Sequence, residues 1–159
     1  MPTYVCTVSG TELDDGKKMR IAREITRLHT QYTSAPHFFA QVFFTKPARG
    51  DHFIAGSPAE TESIFVRGDI RGGRTKAVKR KLVAAIVDAV HRLSGIPLSG
   101  VWVYLNDMPP SQMAEFGHIL PEPGTEKEWL DALPAAERER MRNLGDASAS
   151  AAPRSGSAR

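Results

Sequence analysis

Two stretches of the chain place apolar residues at the spacing of an amphipathic helix, and the two stretches lie 61 residues apart. The apolar positions are Ile21, Ile25, Leu28 and Tyr32 in the first stretch and Leu82, Ile86, Ala89 and Leu93 in the second. Residues three or four positions apart share one face of an α-helix. Asp14 and Thr75 precede the two stretches at the same shift and are suitable N-cap residues. The pattern therefore predicts two helices related by an internal repeat.

Short apolar runs flank each predicted helix. The shift of 61 lays Gln41-Val42-Phe43-Phe44 over Trp102-Val103-Tyr104-Leu105, and Tyr4-Val5 over Phe65-Val66. A strand, a helix and a strand in this order form a parallel pair with a right-handed crossover. The prediction is an α/β (α+β) fold of two tandem βαβ units, with a four-stranded sheet and both helices on one face. Because the run from Phe38 to Phe44 is apolar on both sides, the uncovered face is predicted to pack against other subunits.

Length and composition favour one domain. The 159 residues are 41% hydrophobic and 25% charged, enough for a single core. We expect this domain at 2–144, with βαβ units at about 2–45 and 63–107, a C-terminal segment at 108–144 and a disordered low-complexity tail at 145–159. The single cysteine, Cys6, excludes an internal disulfide. No apolar run reaches the roughly 18 residues of a membrane span and no signal peptide is recognised, so we expect a cytoplasmic protein.

The net charge of +3 favours anionic ligands, either small molecules or polymers. Lys76, Lys79, Arg80 and Lys81 would form a basic face if the protein bound nucleic acid. The same helix keeps its apolar stripe, which makes these residues its solvated side, and no aromatic residues are interleaved for base stacking. Nucleic-acid binding is therefore the less favoured hypothesis, and a small-molecule ligand is preferred.

Pro2 is a candidate catalytic group at the start of a predicted strand. Methionine is normally removed before a small residue, which would leave Pro2 with a free secondary amine. The reference pKa of an α-amino group is about 7.7–8.0, so both protonation states are accessible near neutrality for acid or base catalysis. Proline at this position also occurs without a catalytic role.

Four further residues could carry chemistry. His29 takes the place of Val90 in the repeat, as a functional group or as a hydrogen-bonded core residue. Arg71 and Arg74 lie among glycines in a predicted loop at 68–75, next to a helix N-terminus, where they could clamp a carboxylate or phosphate or be solvated. The glycine pattern is not that of a Walker loop. Glu115 follows in an extended segment and alone would be taken as a surface residue.

Together these residues resemble the tautomerase superfamily, whose members are similar to 4-oxalocrotonate tautomerase, and within it the cis-3-chloroacrylic acid dehalogenase group. The resemblance covers about residues 2–144. The matching motifs are Pro2-Thr3-Tyr4, Ala22-x-x-Ile25-Thr26-x-x-His29, His37-Phe38-x-Ala40-Gln41-Val42, Ile64-Phe65-Val66-x-Gly68-x-x-Arg71-x-Gly73-Arg74, Trp102-Val103-Tyr104, Met108-Pro109, Gln112-Met113-x-Glu115-x-Gly117, Leu120-Pro121-x-Pro123-Gly124 and Glu128-Trp129.

The resemblance implies a role for each of six groups. The catalytic positions are Pro2, Tyr104 and Glu115, and the substrate-binding positions are His29, Arg71 and Arg74. The binding residues would hold a substrate carboxylate, Glu115 with Tyr104 would activate water, and protonated Pro2 would deliver a proton to the α-carbon. The resemblance also implies a homotrimer and no metal or organic cofactor.

The reaction implied for a β-halogenated unsaturated acid is hydration followed by loss of halide, giving malonate semialdehyde. An acetylenic acid would give an enol that ketonises. Neutral Pro2 would instead serve as the base in tautomerisation of a 2-keto acid such as phenylpyruvate. All three activities stay open, because Ile70, Ala35 and Phe39 stand where the dehalogenase has histidine, threonine and leucine and should make the pocket drier.

Overall fold

A computed structural model describes residues 2–37 and 40–144, and the chain divides into two compact units after Leu120. Met1, Phe38, Phe39 and the predicted tail lie outside the described residues. The elements of the first unit are β1 (Thr3–Ser9), α1 (Asp15–Thr33), β2 (Gln41–Thr45), β3 (Phe53–Ile54), β4 (Ser57–Pro58), β5 (Ser63–Arg71), α2 (Lys76–Ser94), β6 (Val101–Met108), β7 (Ala114–Glu115) and β8 (His118–Ile119), with 3-10 turns at Leu98–Gly100 and Pro110–Gln112.

The central sheet has four strands in the order β2-β1-β5-β6. β1 runs parallel to β2 and β5 runs parallel to β6, whereas β1 and β5 are antiparallel to each other. The two βαβ units and the four-stranded sheet that the sequence predicted are therefore confirmed, and the sheet as a whole is mixed.

The two helices begin where the sequence predicted. The Asp14 side chain accepts a hydrogen bond from the Lys17 backbone N–H at 2.7 Å, and the Thr75 hydroxyl accepts one from Val78 at 3.2 Å. Satisfying these otherwise unpaired N–H groups stabilises the first turn of each helix. The apolar stripes pack on one face of the sheet to form the core, which includes Tyr4, Cys6, Val66, Ile21, Ile25, Leu82 and Ile86.

The internal repeat extends beyond the βαβ units to two short hairpins. β3 pairs with β4 and β7 pairs with β8, again 61 residues apart. Both turns have positive φ at their two central residues, at Ala55 and Gly56 in the first hairpin and at Phe116 and Gly117 in the second. This conformation matches the twist of a two-residue hairpin turn.

The predicted overlay of Tyr4-Val5 on Phe65-Val66 was wrong by one residue. Tyr4 pairs with Val42, and Val66 pairs with Val103, so Tyr4 corresponds to Val66 at a shift of 62. Both side chains are buried in the core, as the alternation of a strand requires. The connection from β5 to α2 is one residue shorter than the connection from β1 to α1. β5 continues to Arg71, so residues 68–71 are strand, and the loop predicted at 68–75 is restricted to residues 72–75.

The sheet face opposite the helices carries large exposed side chains. Phe43 on β2 and Trp102 and Tyr104 on β6 are among the most exposed large hydrophobic residues. Arg67, Asp69 and Asn106 form a polar network on the two neighbouring strands. Phe43, Trp102 and Tyr104 give the described part of this face the exposed apolar side chains that the sequence predicted for a subunit interface.

The second unit contains α3 (Glu126–Ala132) and α4 (Ala135–Arg142). Arg138 donates to the Asp131 carbonyl at 3.2 Å, and Lys127 pairs with the Asp131 side chain at 2.8 Å. A single domain over residues 2–144 stays a prediction. Within the described ranges, no helix has the length and apolar content to cross a membrane.

Candidate active site

Pro2 and Arg71 lie at the same end of the sheet. Pro2 is buried, and its carbonyl accepts a hydrogen bond from the Gln41 backbone N–H at 3.1 Å. Thr3 pairs with Asp69, which sets the start of β1 beside the end of β5. The Arg71 side chain follows there and is only 7% exposed as a residue. A buried arginine beside the chain terminus is a strong anion-binding element because guanidinium forms bidentate contacts with carboxylates.

Arg74 is held against the end of α1. Its guanidinium donates to the Gly72 carbonyl at 3.3 Å and to the carbonyl of Thr33, the last residue of α1, at 3.4 Å. A cation is favourable at a helix C-terminus, where unpaired carbonyls concentrate negative partial charge. The loop that carries Arg74 contains Gly73 with φ +98°, a backbone conformation that favours glycine. These contacts place Arg74 near the last turns of α1, which contain His29.

His29 is 4% exposed, and its Nδ1 atom lies 2.9 Å from the Tyr4 hydroxyl. Burial lowers the pKa of His29 to about 3, assisted by the positive charges of Arg74 and Arg71. The imidazole is therefore neutral near pH 7. A neutral ring keeps one N–H donor and one acceptor, so it can hydrogen-bond a substrate without adding a charge.

Glu115 lies on β7 of a hairpin, not on a loop, and is half-buried. Burial raises the pKa of its carboxyl group, while the positive charge of Arg71 acts in the opposite direction. The carboxylate is thus influenced by Arg71 and becomes a stronger base as its pKa rises. The structure brings five of the six predicted groups to one end of the sheet: Pro2, His29, Arg71, Arg74 and Glu115.

Tyr104 is not part of this cluster within one chain. Its ring is on the uncovered face of β6, 55% exposed, and it contacts Phe65 edge-on at 5.1 Å between ring centroids. Tyr104 pairs with Arg67 across β5 and β6, whereas Met108, four residues further along β6, pairs with Arg71. Four residues of strand span about 13 Å. Any contact of Tyr104 with such a cluster must therefore involve another copy of the chain.

Of the three positions that depart from the dehalogenase pattern, the structure describes Ile70 and Ala35. Ile70 and Ala35 are both buried, and Ile70 belongs to the core between sheet and helices. Phe39 lies outside the described residues. The predicted drier pocket stays a prediction.

Sequence reasoning assigned no role to Tyr4, the hydrogen-bond partner of His29. A tyrosine in an apolar strand is usually interpreted as a core residue. The feature that could have indicated a role is that Tyr4 carries a hydroxyl on the sheet face that packs against α1, the helix that contains His29. The structure also explains Gly68, since a Cβ there would lie 2.5 Å from a Tyr4 ring carbon. Across the described ranges, no three His, Cys, Asp or Glu side chains come together as a metal site.

Comparisons with known proteins agree with this fold. A family described as putative oxalocrotonate tautomerase enzymes matches residues 1–132. A probable tautomerase of Streptococcus pneumoniae serotype 4 is 47% identical over 45 residues, covering 28% of this chain and 75% of that protein. The chain therefore belongs to this family and is an enzyme of the tautomerase superfamily.

Two solved structures extend the likeness. The structure of N1, a member of the cis-3-chloroacrylic acid dehalogenase family, is 34% identical with a TM-score of 0.84 and covers 89% of this chain and 99% of its own. A fused 4-OT that forms a symmetric trimer is 21% identical with a TM-score of 0.68, covering 76% of this chain and 97% of its own. The second likeness shows the fold alone.

Proposed function

We propose that the protein is a cofactor-independent enzyme that acts on small unsaturated or keto carboxylates through the amine of Pro2. The leading reaction is hydration of cis-3-chloroacrylate to malonate semialdehyde. The observation that supports this function is that Arg71, at the end of β5 beside Pro2 and the start of β1, acts on the half-buried carboxyl group of Glu115. A base, an anion-binding group and a titratable amine in one site are the elements that hydration requires.

The proposed mechanism assigns one step to each group. Arg71 and Arg74 bind the substrate carboxylate, and the His29 N–H adds a hydrogen bond, which together draw electron density from the β-carbon. Glu115 accepts a proton from water as the oxygen attacks the β-carbon, and the Pro2 ammonium transfers a proton to the α-carbon. The resulting halohydrin expels chloride and a proton to give the aldehyde.

Two alternative reactions use the same pocket. An acetylenic acid would be hydrated by the same groups, and neutral Pro2 would move a proton between carbon and oxygen in a 2-keto acid. The tautomerase family match favours the second alternative. The test is one purified preparation assayed for chloride release from cis-3-chloroacrylate, hydration of propiolate and tautomerisation of phenylpyruvate. Turnover of none of the three would overturn the proposed function.

The carboxylate clamp gives a measurable prediction. Replacing Arg71 or Arg74 with alanine is expected to cost about 2–5 kcal/mol of transition-state binding, because each contact is charged and shielded from water. Lysine should rescue either position only in part, since it lacks the planar fork. The measurement is kcat/KM, with Arg80→Ala on the exposed side of α2 as the control. Unchanged kcat/KM in both alanine variants would mean that these arginines do not bind substrate.

We also propose that the active form is a homotrimer. The uncovered sheet face exposes Phe43, Trp102 and Tyr104, and a catalytic role for Tyr104 requires a neighbouring copy. The trimeric assembly of the fused 4-OT with the same fold supports this arrangement.

Light scattering is expected to give a multiple of the 17.4 kDa chain mass. Phe43→Glu should weaken the assembly because it places a charge on the apolar face, whereas Phe53→Glu on the β3 hairpin, where the native side chain is similarly exposed, should not. A stable monomer at micromolar concentration would contradict the interface.

A further inference from the structure

The hydroxyl of Tyr4 and the imidazole of His29 form a buried polar pair beside the proposed substrate site. Tyr4 is fully buried, and the two rings pack edge-to-face with centroids 5.9 Å apart. Burial raises the pKa of the Tyr4 phenol, so it keeps its proton. A hydrogen bond between two neutral groups in the core must be matched donor to acceptor, because water is not available to correct it.

The direction of this hydrogen bond follows from counting protons. In the described part of the chain, His29 Nδ1 is the partner of the Tyr4 oxygen. A phenol that accepted from Nδ1–H would need another acceptor for its own proton, whereas a phenol that donates to Nδ1 uses the one proton it has. Leaving a buried O–H without an acceptor is costly.

The internal repeat supports a functional pairing of these two side chains. The position equivalent to Tyr4 in the second half is Val66, and the position equivalent to His29 is Val90. Both valines are fully buried in the same core. The fold therefore accommodates an apolar pair at these positions, and the polar pair occurs in the half whose helix end contacts Arg74.

We propose that Tyr4 is the positioning residue for His29: its hydroxyl donates to Nδ1, which places the ring proton on Nε2 and presents an N–H donor to the substrate carboxylate. Nε2 is on the side of the ring away from Tyr4. The role toward substrate rests on the proposed function, whereas the tautomer of His29 does not. Gly68 contributes indirectly, because a side chain there would displace the Tyr4 ring.

The first test is the tautomer itself, read from a long-range ¹H–¹⁵N correlation spectrum of the imidazole rings near pH 7. The His29 resonances are assigned by their loss in His29→Gln. We expect the Nε2–H tautomer in the unmodified protein and a shift toward a mixture of tautomers in Tyr4→Phe, with no change in the matched control Tyr32→Phe. The Nδ1–H tautomer in the unmodified protein would overturn the proposal, whether or not any substrate is turned over.

The second test separates positioning from packing. With any substrate that the protein turns over, Tyr4→Phe should raise KM about 10-fold with little change in kcat, the expected loss for one hydrogen bond to a neutral group. The same substitution in a His29→Gln background should have no further effect, because Tyr4 acts through His29. Equal losses in both backgrounds would show that Tyr4 contributes only packing. If Tyr4→Phe fails to fold, the tautomer of the unmodified protein still decides the proposal.

Discussion

Extension of the chain by one residue before Pro2 is expected to abolish every activity of the site. A variant that begins Met-Lys-Pro keeps its methionine, because the residue after it is large, and Pro2 then becomes an internal amide. An amide nitrogen has no titratable lone pair, so loss of proton transfer should lower kcat/KM by at least the roughly 10²–10⁴-fold attributed to general acid–base catalysis. Intact mass should show removal of Met1 in the unmodified protein and its retention in the variant.

The matched control for this variant is Pro2→Ala, which keeps a free terminal amine at the start of β1. It should lose less activity than the extended chain, because the catalytic atom is still present although the ring is gone. Light scattering checks that both variants assemble as the unmodified protein does. Full activity of the extended chain would remove Pro2 from the mechanism.

Glu115→Gln is expected to separate hydration from tautomerisation. Glutamine keeps the size and hydrogen bonding of the side chain but cannot take a proton from water, so hydration of cis-3-chloroacrylate or propiolate should fall by roughly 10²–10⁴-fold. Tautomerisation of phenylpyruvate needs Pro2 but no activated water, and it should stay within about one order of magnitude. The measurement is kcat/KM for both reactions on the same preparation.

The control for this experiment is Glu122→Gln, an exposed glutamate seven residues further along the chain, which should change neither reaction. Equal loss of both activities in Glu115→Gln would contradict its role as the base for water. That result would instead indicate that its charge sets the protonation state of Pro2.

The helices and the parallel strand pairs could be predicted from the sequence because burial repeats with a fixed period along each element. Asp14 and Thr75 mark the helix starts for a local reason, a side chain that accepts from its own first turn. The overlay of β1 on β5 in the repeat was wrong by one residue, because the connection from β5 to α2 is one residue shorter than the connection from β1 to α1. The two hairpins could not be predicted, because strands of two residues are too short to show a periodic pattern.

The site was predictable only in part. Resemblance identified the residue types, and in the structure the charge of Arg71 acts on both His29 and Glu115. Periodicity alone could not distinguish His29 from a core histidine, because burial and function coincide at this position. The role of Tyr4 could not be predicted because its ring satisfies the core pattern, and a hydrogen bond from its hydroxyl to His29 leaves no trace in that pattern. The proposed role of Tyr104 requires a neighbouring copy of the chain, which no pattern within one sequence reveals.

The most direct measurement of the central claim is a crystal structure of the processed protein with malonate bound. We predict one malonate carboxylate within hydrogen-bond distance of Arg71, Arg74 and His29 Nε2, with the Pro2 nitrogen and the Glu115 carboxylate on opposite sides of the carbon chain. Tyr104 of a neighbouring subunit should complete the site. Malonate bound elsewhere while this end of the sheet holds only solvent, or an N-terminal amine too far from Glu115 for both to contact one small acid, would contradict the proposed active site.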